Sequence, residues 1–261
     1  MADFEPPPAV EGKKYDLGVV ILDYAYPPAL GDVDDPNTYA YNTLYVKVKG
    51  LTFPLCQIGK PLEEPVKSNF INAIKYLEEH GVKGITGDCG FMLNYQAFAR
   101  TLTHLPVFVS SLCQLPALSC CYSKNESIAI FTANGRNLEK MRDLIQKEIG
   151  VDPKEAGFTI VGCEGVDGFE AVADGTQVDV EKVKPGIVDL AIKTIEEAEA
   201  DDNDGDKNKN IQAFLFECTE LGPYSNAVRE ATGLPVYDAI TTCNSFMSGH
   251  QTMKFSKADN A

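Results

Sequence analysis

Positive charge is scarce in this chain of 261 residues: 23 Lys and Arg stand against 38 Asp and Glu, a formal net charge of -15. An average surface of that sign repels phosphate backbones and anionic bilayers, so neither nucleic acid nor membrane is an expected partner. A local pocket for a small carboxylate is compatible with it, because net charge says little about one buried site. No apolar run approaches the roughly 18 residues that a membrane-crossing helix needs. Histidine is rare and scattered, at His80, His104 and His250, each read as a surface or structural residue. No CxxC or HExxH is present, and the adjacent Cys120-Cys121 has no suitable histidine partner, so no metal site is expected. A phosphate loop GxxxxGK[ST] and a GxSxG elbow are also missing, and the glycines of VGCEGVDGF at Val161 to Phe169 do not fit GxGxxG. Cofactors are expected to be none.

The start, Met1 to Val10, is acidic and proline-rich and lacks the pattern of a signal or transit peptide. Eight cysteines are too dilute for a disulfide-stapled domain. Both point to a cytoplasmic protein with free thiols.

What is present suits a globular protein: 44% apolar and 23% charged residues. Apolar strands alternate with helical spacing. Strands are expected at Leu17–Tyr24, over VKGITGD, at Leu105–Ser111, Ser127–Asn134 and Phe158–Cys163, and over IQAFLFE and LPVYDAI. Helices are expected at Glu63–His80, Tyr95–Leu102, Leu138–Ile149, Pro185–Ala200 and Tyr224–Ala231. A long irregular loop is expected from Ala25 to about Val46, of the kind that forms lids or binding loops. The acidic run from Glu197 to Asn210 reads as a solvated loop, and the polar tail beyond Gly249 as frayed. Strand follows helix throughout, which argues for an α/β fold with parallel sheets.

The most informative feature is an internal repeat. DCGFMLNYQAFARTLTHLPVF from Asp88 aligns without a gap on ECTELGPYSNAVREATGLPVY from Glu217, at a constant offset of 129 residues. Asp88 pairs with Glu217, Cys89 with Cys218, Tyr95 with Tyr224, Arg100 with Arg229 and Thr103 with Thr232, and Leu-Pro-Val closes both copies. Two pseudo-symmetric Rossmann-like lobes with a cleft between them follow. The first is expected over 15–112 with part of the C-terminal segment, the second over 113–240, with flexible tails at 1–14 and 250–261. Each lobe delivers an acid-cysteine pair to the C-terminal end of a strand, where open α/β sheets bind ligands. Cys56, Cys113, Cys120, Cys121, Cys163 and Cys243 carry no such context and read as small buried hydrophobes.

Two thiols facing one ligand define a proton-transfer site. Helix N-terminal amides should bring each thiol towards ionisation, so that one takes a proton from a weakly acidic C–H while the other donates. Asn94, Thr132, Asn134 and Thr219 are candidate donors to a substrate carboxylate, and Glu217 and Glu220 cap or orient. The same pattern would also serve a non-catalytic module that binds a small carboxylate.

GITGDCGFM around Cys89 and FECTELGPYSNAVREATGLPVYDAI around Cys218 resemble the aspartate/glutamate racemase superfamily, from about Tyr15 to Gly249. The resemblance implies one catalytic cysteine per lobe, Cys89 and Cys218, independence from cofactors, and a homo-dimer or homo-tetramer. More narrowly, GVKGITGDCGFM, PVFVSSL and ECTELGPYS with PVYDAITT resemble the Alma-type dimethylsulfoniopropionate lyases. That likeness implies a carbon-sulfur lyase that abstracts the proton α to the carboxylate and releases dimethyl sulfide and acrylate. An amino-acid racemase of the aspartate/glutamate type is the alternative, although Gly90-Phe91 stands where those racemases carry Asn-Thr. Phe91 and Met92 would form an apolar wall, with Tyr24, Tyr26, Tyr39 or Tyr41 supplied by the first loop for a sulfonium cation. Which thiol is the base stays open.

Overall fold

The computed structural model describes residues 10, 12–123, 126–151, 157–201 and 210–252. The first half of the chain gives β1 (Leu17–Ile21), β2 (Thr43–Lys47), α1 (Phe53–Ile58), α2 (Val66–Glu79), β3 (Gly84–Gly87), α3 (Gln96–Arg100), β4 (Val107–Phe108) and α4 (Leu115–Ser119). The second half gives β5 (Glu126–Thr132), α5 (Gly135–Glu139), α6 (Arg142–Ile149), β6 (Phe158–Gly162), α7 (Glu170–Asp174), α8 (Val180–Asp201), β7 (Asn210–Phe216), α9 (Ser225–Thr232), β8 (Val236–Tyr237) and α10 (Ala239–Ser248).

The strands form two four-stranded sheets in the orders β2-β1-β3-β4 and β6-β5-β7-β8. Every pairing is parallel, and the sheets repeat one topology. The expected pseudo-symmetric pair of parallel-sheet lobes is therefore the architecture. In each lobe the first strand lies inside the sheet and its middle is apolar, LGVVI in β1 and IAIF within β5, because helices cover both faces of the sheet and leave no side for polar alternation.

Local differences from the sequence reading have physical causes. The end of the expected loop, Thr43–Lys47, is an edge strand paired to β1. Its polar residues and half-exposed tyrosine hid it from a search for apolar runs. The helix expected at Leu138–Ile149 is two helices that meet at Lys140 and Met141. The run LPVYDAI is a strand only to Tyr237. Asp238 then caps α10, accepting from Thr241 N at 2.7 Å while Thr241 Oγ1 accepts from Asp238 N at 2.8 Å, so the chain turns helical where a strand was expected to continue. Helix α10 packs on Leu17, Val19 and Phe108 of the first sheet. The start of the acidic run belongs to α8; its remainder, 202–209, and most of the expected tails lie outside the described residues.

Candidate active site

Both cysteines sit where a strand ends and a six-residue 3-10 helix begins. Cys89 precedes Gly90–Tyr95, and Cys218 precedes Thr219–Tyr224. The repeat in sequence is thus a repeat in structure.

The two strand ends cross over one another. Thr219, after Cys218, donates its hydroxyl to the carbonyl of Asp88, before Cys89. Gly90, after Cys89, lies so close to Glu217, before Cys218, that an added Cβ would overlap the Glu217 carboxylate and carbonyl oxygens. Ser111 Oγ also donates to Glu217 O at 3.1 Å. This reciprocal contact brings the two cysteines into one buried site, with Cys89 4% and Cys218 5% exposed.

A second bridge joins the lobes beside it. Gly31, at φ 109, lies against Pro223, where an added Cβ would come within 2.8 Å of the Pro223 Cα. The first-lobe loop carrying Asp32 and Asp34 is thereby pressed onto the segment carrying Glu220. The charge of Glu220 acts on both aspartates.

Cys218 Sγ donates to Glu220 Oε2 at 3.0 Å, and Thr219 Oγ1, whose proton goes to the Asp88 carbonyl, lies 3.0 Å from the same oxygen. Cys89 is hydrogen-bonded to Cys56, a residue of α1 whose carbonyl accepts from Asn94 Nδ2 at 3.0 Å. Both paired thiols are held well above the ordinary range. For Cys89 the bond to Cys56 leads and burial follows; for Cys218 burial leads, with the charges of Glu220 and Glu217 behind it. The expectation of lowered thiols is thus reversed in direction: the bond to Cys56 at Cys89, and burial at Cys218, outweigh what the amides of a short 3-10 turn offer.

The carboxylates share this environment. Burial pushes Glu217 up to about 8 against the opposing bond from Thr132 Oγ1 at 2.6 Å, and pushes Asp32 to about 8 and Asp34 to about 7. Burial also raises Asp88, which accepts from Leu22 N at 2.9 Å, and Glu220. Asp32 Oδ1, Asp88 Oδ1, Glu217 Oε1 and the Tyr24 hydroxyl are buried without a hydrogen-bond partner among the described residues.

Such shifts carry a stability consequence with a definite sign. An unfolded carboxyl loses its proton near pH 4, whereas Glu217 in the fold keeps its proton to about 8. The folded state therefore binds more protons between those values, and stability falls as pH rises through that window, levelling above about 8. We expect the Tm of the ligand-free protein to drop by several degrees between about pH 5 and pH 8, and Glu217→Gln to reduce that drop. Differential scanning fluorimetry across the range checks it; an identical slope in the variant would show that Glu217 is ionised in the fold.

The remaining candidate residues fall as follows. Phe91 and Met92 are core residues of the first lobe, 1% and 0% exposed. Asn94 is spent on the carbonyls of Cys56 and Phe91, Thr132 on Glu217, and Asn134 on capping Asn137 N at 3.0 Å. Tyr24 stacks on Tyr26 at 5.8 Å between ring centroids and lies 6.3 Å from Phe53, within the electrostatic reach of both paired cysteines. Tyr39 and Tyr41 lie elsewhere, bonded to Val33 O and to Asn244 of α10. A cavity of about 680 Å³ lined by Cys113, Tyr237, Thr241 and Phe246 includes neither paired cysteine in its wall. Of the six cysteines expected as buried hydrophobes, Cys56, Cys163 and Cys243 are buried, Cys56 against Cys89, whereas Cys113 is half-buried and Cys120 and Cys121 are exposed in the turn that ends α4. Asp32 and Asp34 are not among the expected site residues, and their signal in the sequence is the acidic cluster GDVDD inside an otherwise Pro- and Tyr-rich loop.

Two parallel-sheet lobes of one repeated topology, each ending a strand in a cysteine, define the fold that arylmalonate decarboxylase and glutamate racemase share. Solved structures agree on the fold: a point variant of arylmalonate decarboxylase in its sulfate-associated form matches with a TM-score of 0.57 at 17% identity, over 91% of this chain and 95% of that one. Glutamate racemase RacE1 of Bacillus anthracis matches with a TM-score of 0.53 at 13% identity, over 90% and 81%. No family model matches the chain. Among curated relatives, dimethylsulfoniopropionate lyase 7 of Emiliania huxleyi is 56% identical over 252 residues, covering 94% of this chain and 72% of the relative. The dimethylsulfoniopropionate lyase of Durusdinium sp. clade D is 46% identical over 248 residues, covering 94% and 79%. Lyase 6 of Emiliania huxleyi is 57% identical, and this chain spans 59% of its length. The chain belongs to the dimethylsulfoniopropionate lyase family.

Proposed function

We propose that this protein is a dimethylsulfoniopropionate lyase whose paired cysteines, Cys89 and Cys218, flank the carbon that loses its proton. The observation that carries this reading is the crossed contact of Asp88 with Thr219 and Gly90 with Glu217, which joins the two strand ends that carry buried Cys89 and Cys218 and so supports one site between them. The identity to named lyases supplies the substrate.

Cys218 is the base. Its thiol proton already points at Glu220 Oε2, 3.0 Å away, so transfer to that carboxylate leaves a thiolate. The thiolate removes the proton α to the substrate carboxylate. The C–H electron pair becomes the new C=C bond, the C–S bond breaks, and its pair leaves on sulfur as neutral dimethyl sulfide. Acrylate remains, Cys218 is left as a thiol carrying the α proton, and Glu220 releases to solvent the proton it took, which restores the starting state. Cys89, held protonated beside Cys56, faces the opposite side of the substrate and donates to the charge that develops there. A racemase would share the first step and then reprotonate; the sulfonium leaving group makes elimination the faster exit.

Glu220→Gln keeps shape and removes the proton acceptor. We expect kcat for dimethyl sulfide release to fall about 100-fold, with KM changed less and the fold intact. The reading itself is tested by headspace dimethyl sulfide from dimethylsulfoniopropionate, with the double substitution C89A/C218A as blank. Release above the blank supports it, whereas no release from folded protein sends the assignment to α-proton exchange on small amino acids.

All eight cysteines are free, which suits a reducing, cytoplasmic setting. No helix among the described residues is long and apolar enough to cross a membrane. A homo-dimer or homo-tetramer is the assembly we propose.

A further inference from the structure

The groups that act on one another around Cys218 are all acidic. Asp32 and Asp34 come from the first-lobe loop, and Glu220 from the second lobe. The close packing of Gly31 on Pro223, and of Gly222 on the Gly31 carbonyl, holds them together across the lobe boundary. The strongest charges on Asp32 and Asp34 are those of Glu220 and neighbouring aspartates, and no ion pair among the described residues reaches any of the three.

Asp32 is buried and Asp34 and Glu220 are half-buried, and a fold does not gather such uncompensated carboxylates for stability, since each costs desolvation and repels the next. An independent observation points to what compensates them. Asp32 is 0% exposed, with Oδ2 taking the Tyr26 hydroxyl at 3.1 Å and Ala29 N at 2.6 Å, while Oδ1 has no partner. Beside it stands the Tyr24–Tyr26 stack, with interplanar angle 13°, and the unpartnered Tyr24 hydroxyl. A metal ion does not fit, because no group of three or more His, Cys, Asp or Glu among the described residues is close enough to ligate one. An onium cation does. Its charge is spread over a methyl shell that donates no strong hydrogen bond, so it is held by aromatic faces and by carboxylates at several ångströms.

We infer that Asp32 and Asp34, together with Glu220 and the Tyr24–Tyr26 stack, form the subsite that selects the positively charged end of a small onium zwitterion. The lyase reading supplies only the identity of that onium. The arriving cation also offsets the charges that keep Cys218 protonated, so the base forms once the correct substrate is in place.

The test is binding, measured apart from turnover. Isothermal titration calorimetry on the full chain compares 3-(trimethylammonio)propanoate, cationic at one end, with 4,4-dimethylpentanoate, its neutral isostere with the same carboxylate. In wild type the cationic ligand is expected to bind at least tenfold more tightly. In Asp34→Asn and in Asp32→Asn that gap should shrink at least threefold, while the neutral ligand binds within about twofold of wild type. Equal affinity of the two ligands in wild type overturns the inference, and so does a gap that survives Asp34→Asn, which leaves the buried bonds of Asp32 in place. A preserved gap in wild type with no dimethyl sulfide release would sink the lyase reading alone. Dimethyl sulfide release with no gap would sink this inference alone.

Discussion

Cys218→Ser is expected to lower the rate of dimethyl sulfide release at least about 1000-fold while leaving the fold in place. Serine preserves the size of the side chain and its hydrogen bond to Glu220, now 3.0 Å from sulfur. Its hydroxyl is a far weaker acid than a thiol, so the carboxylate cannot draw off its proton to make a base. The loss of one acid/base group is typically worth about 100- to 10,000-fold, and Cys218, only 5% exposed, belongs towards the upper end. Cys89→Ser should cost at least about 100-fold, because hydrogen-bond donation survives in weakened form. Initial rates by headspace gas chromatography, with Tm as the folding control, decide the matter. Activity within tenfold of wild type in Cys218→Ser would remove the thiol from the chemistry and leave Glu220 as the candidate base.

Gly90→Ala tests the architecture that makes the site. The residue's backbone is ordinary; what demands glycine is the approach of the Glu217 carboxylate and carbonyl, which a methyl group would overlap. Neither oxygen can retreat easily. Glu217 is 0% exposed, its carboxylate is tied to Thr132 and its carbonyl to Ser111. Overpacking of this sort costs roughly 3 kcal/mol, and for a chain of this size that is about a 5–10 °C fall in Tm. Turnover should fall with it, since relief of the overlap separates the two strand ends that carry the cysteines. Gly165→Ala is the control: nothing lies near its added Cβ, and Tm should move by less than about 1 °C. Thermal melts and dimethyl sulfide rates on the pair check it. Equal Tm values for the two variants would mean that the lobes slide apart at no cost, which contradicts the crossed contact.

The sequence by itself determined the duplicated strand-cysteine-helix unit, the parallel α/β class and the placement of Cys89 and Cys218 at strand ends. These features are local: apolar periodicity, a strand terminus and a repeat are written within windows of about twenty residues. The polar edge strand Thr43–Lys47 and the helix after Asp238 escaped, the first because an edge strand need not be apolar, the second because its capping pair was overshadowed by LPVY. Tertiary structure alone decided how the halves meet. The bond from Thr219 to Asp88 spans 131 residues, and Asp32 reaches the neighbourhood of Glu220 only through the packing of Gly31 on Pro223. The direction of the thiol shifts was decided there too: burial leads at Cys218, and the bond to Cys56, 33 residues away in the chain, leads at Cys89, and neither can be read from the residues flanking a cysteine.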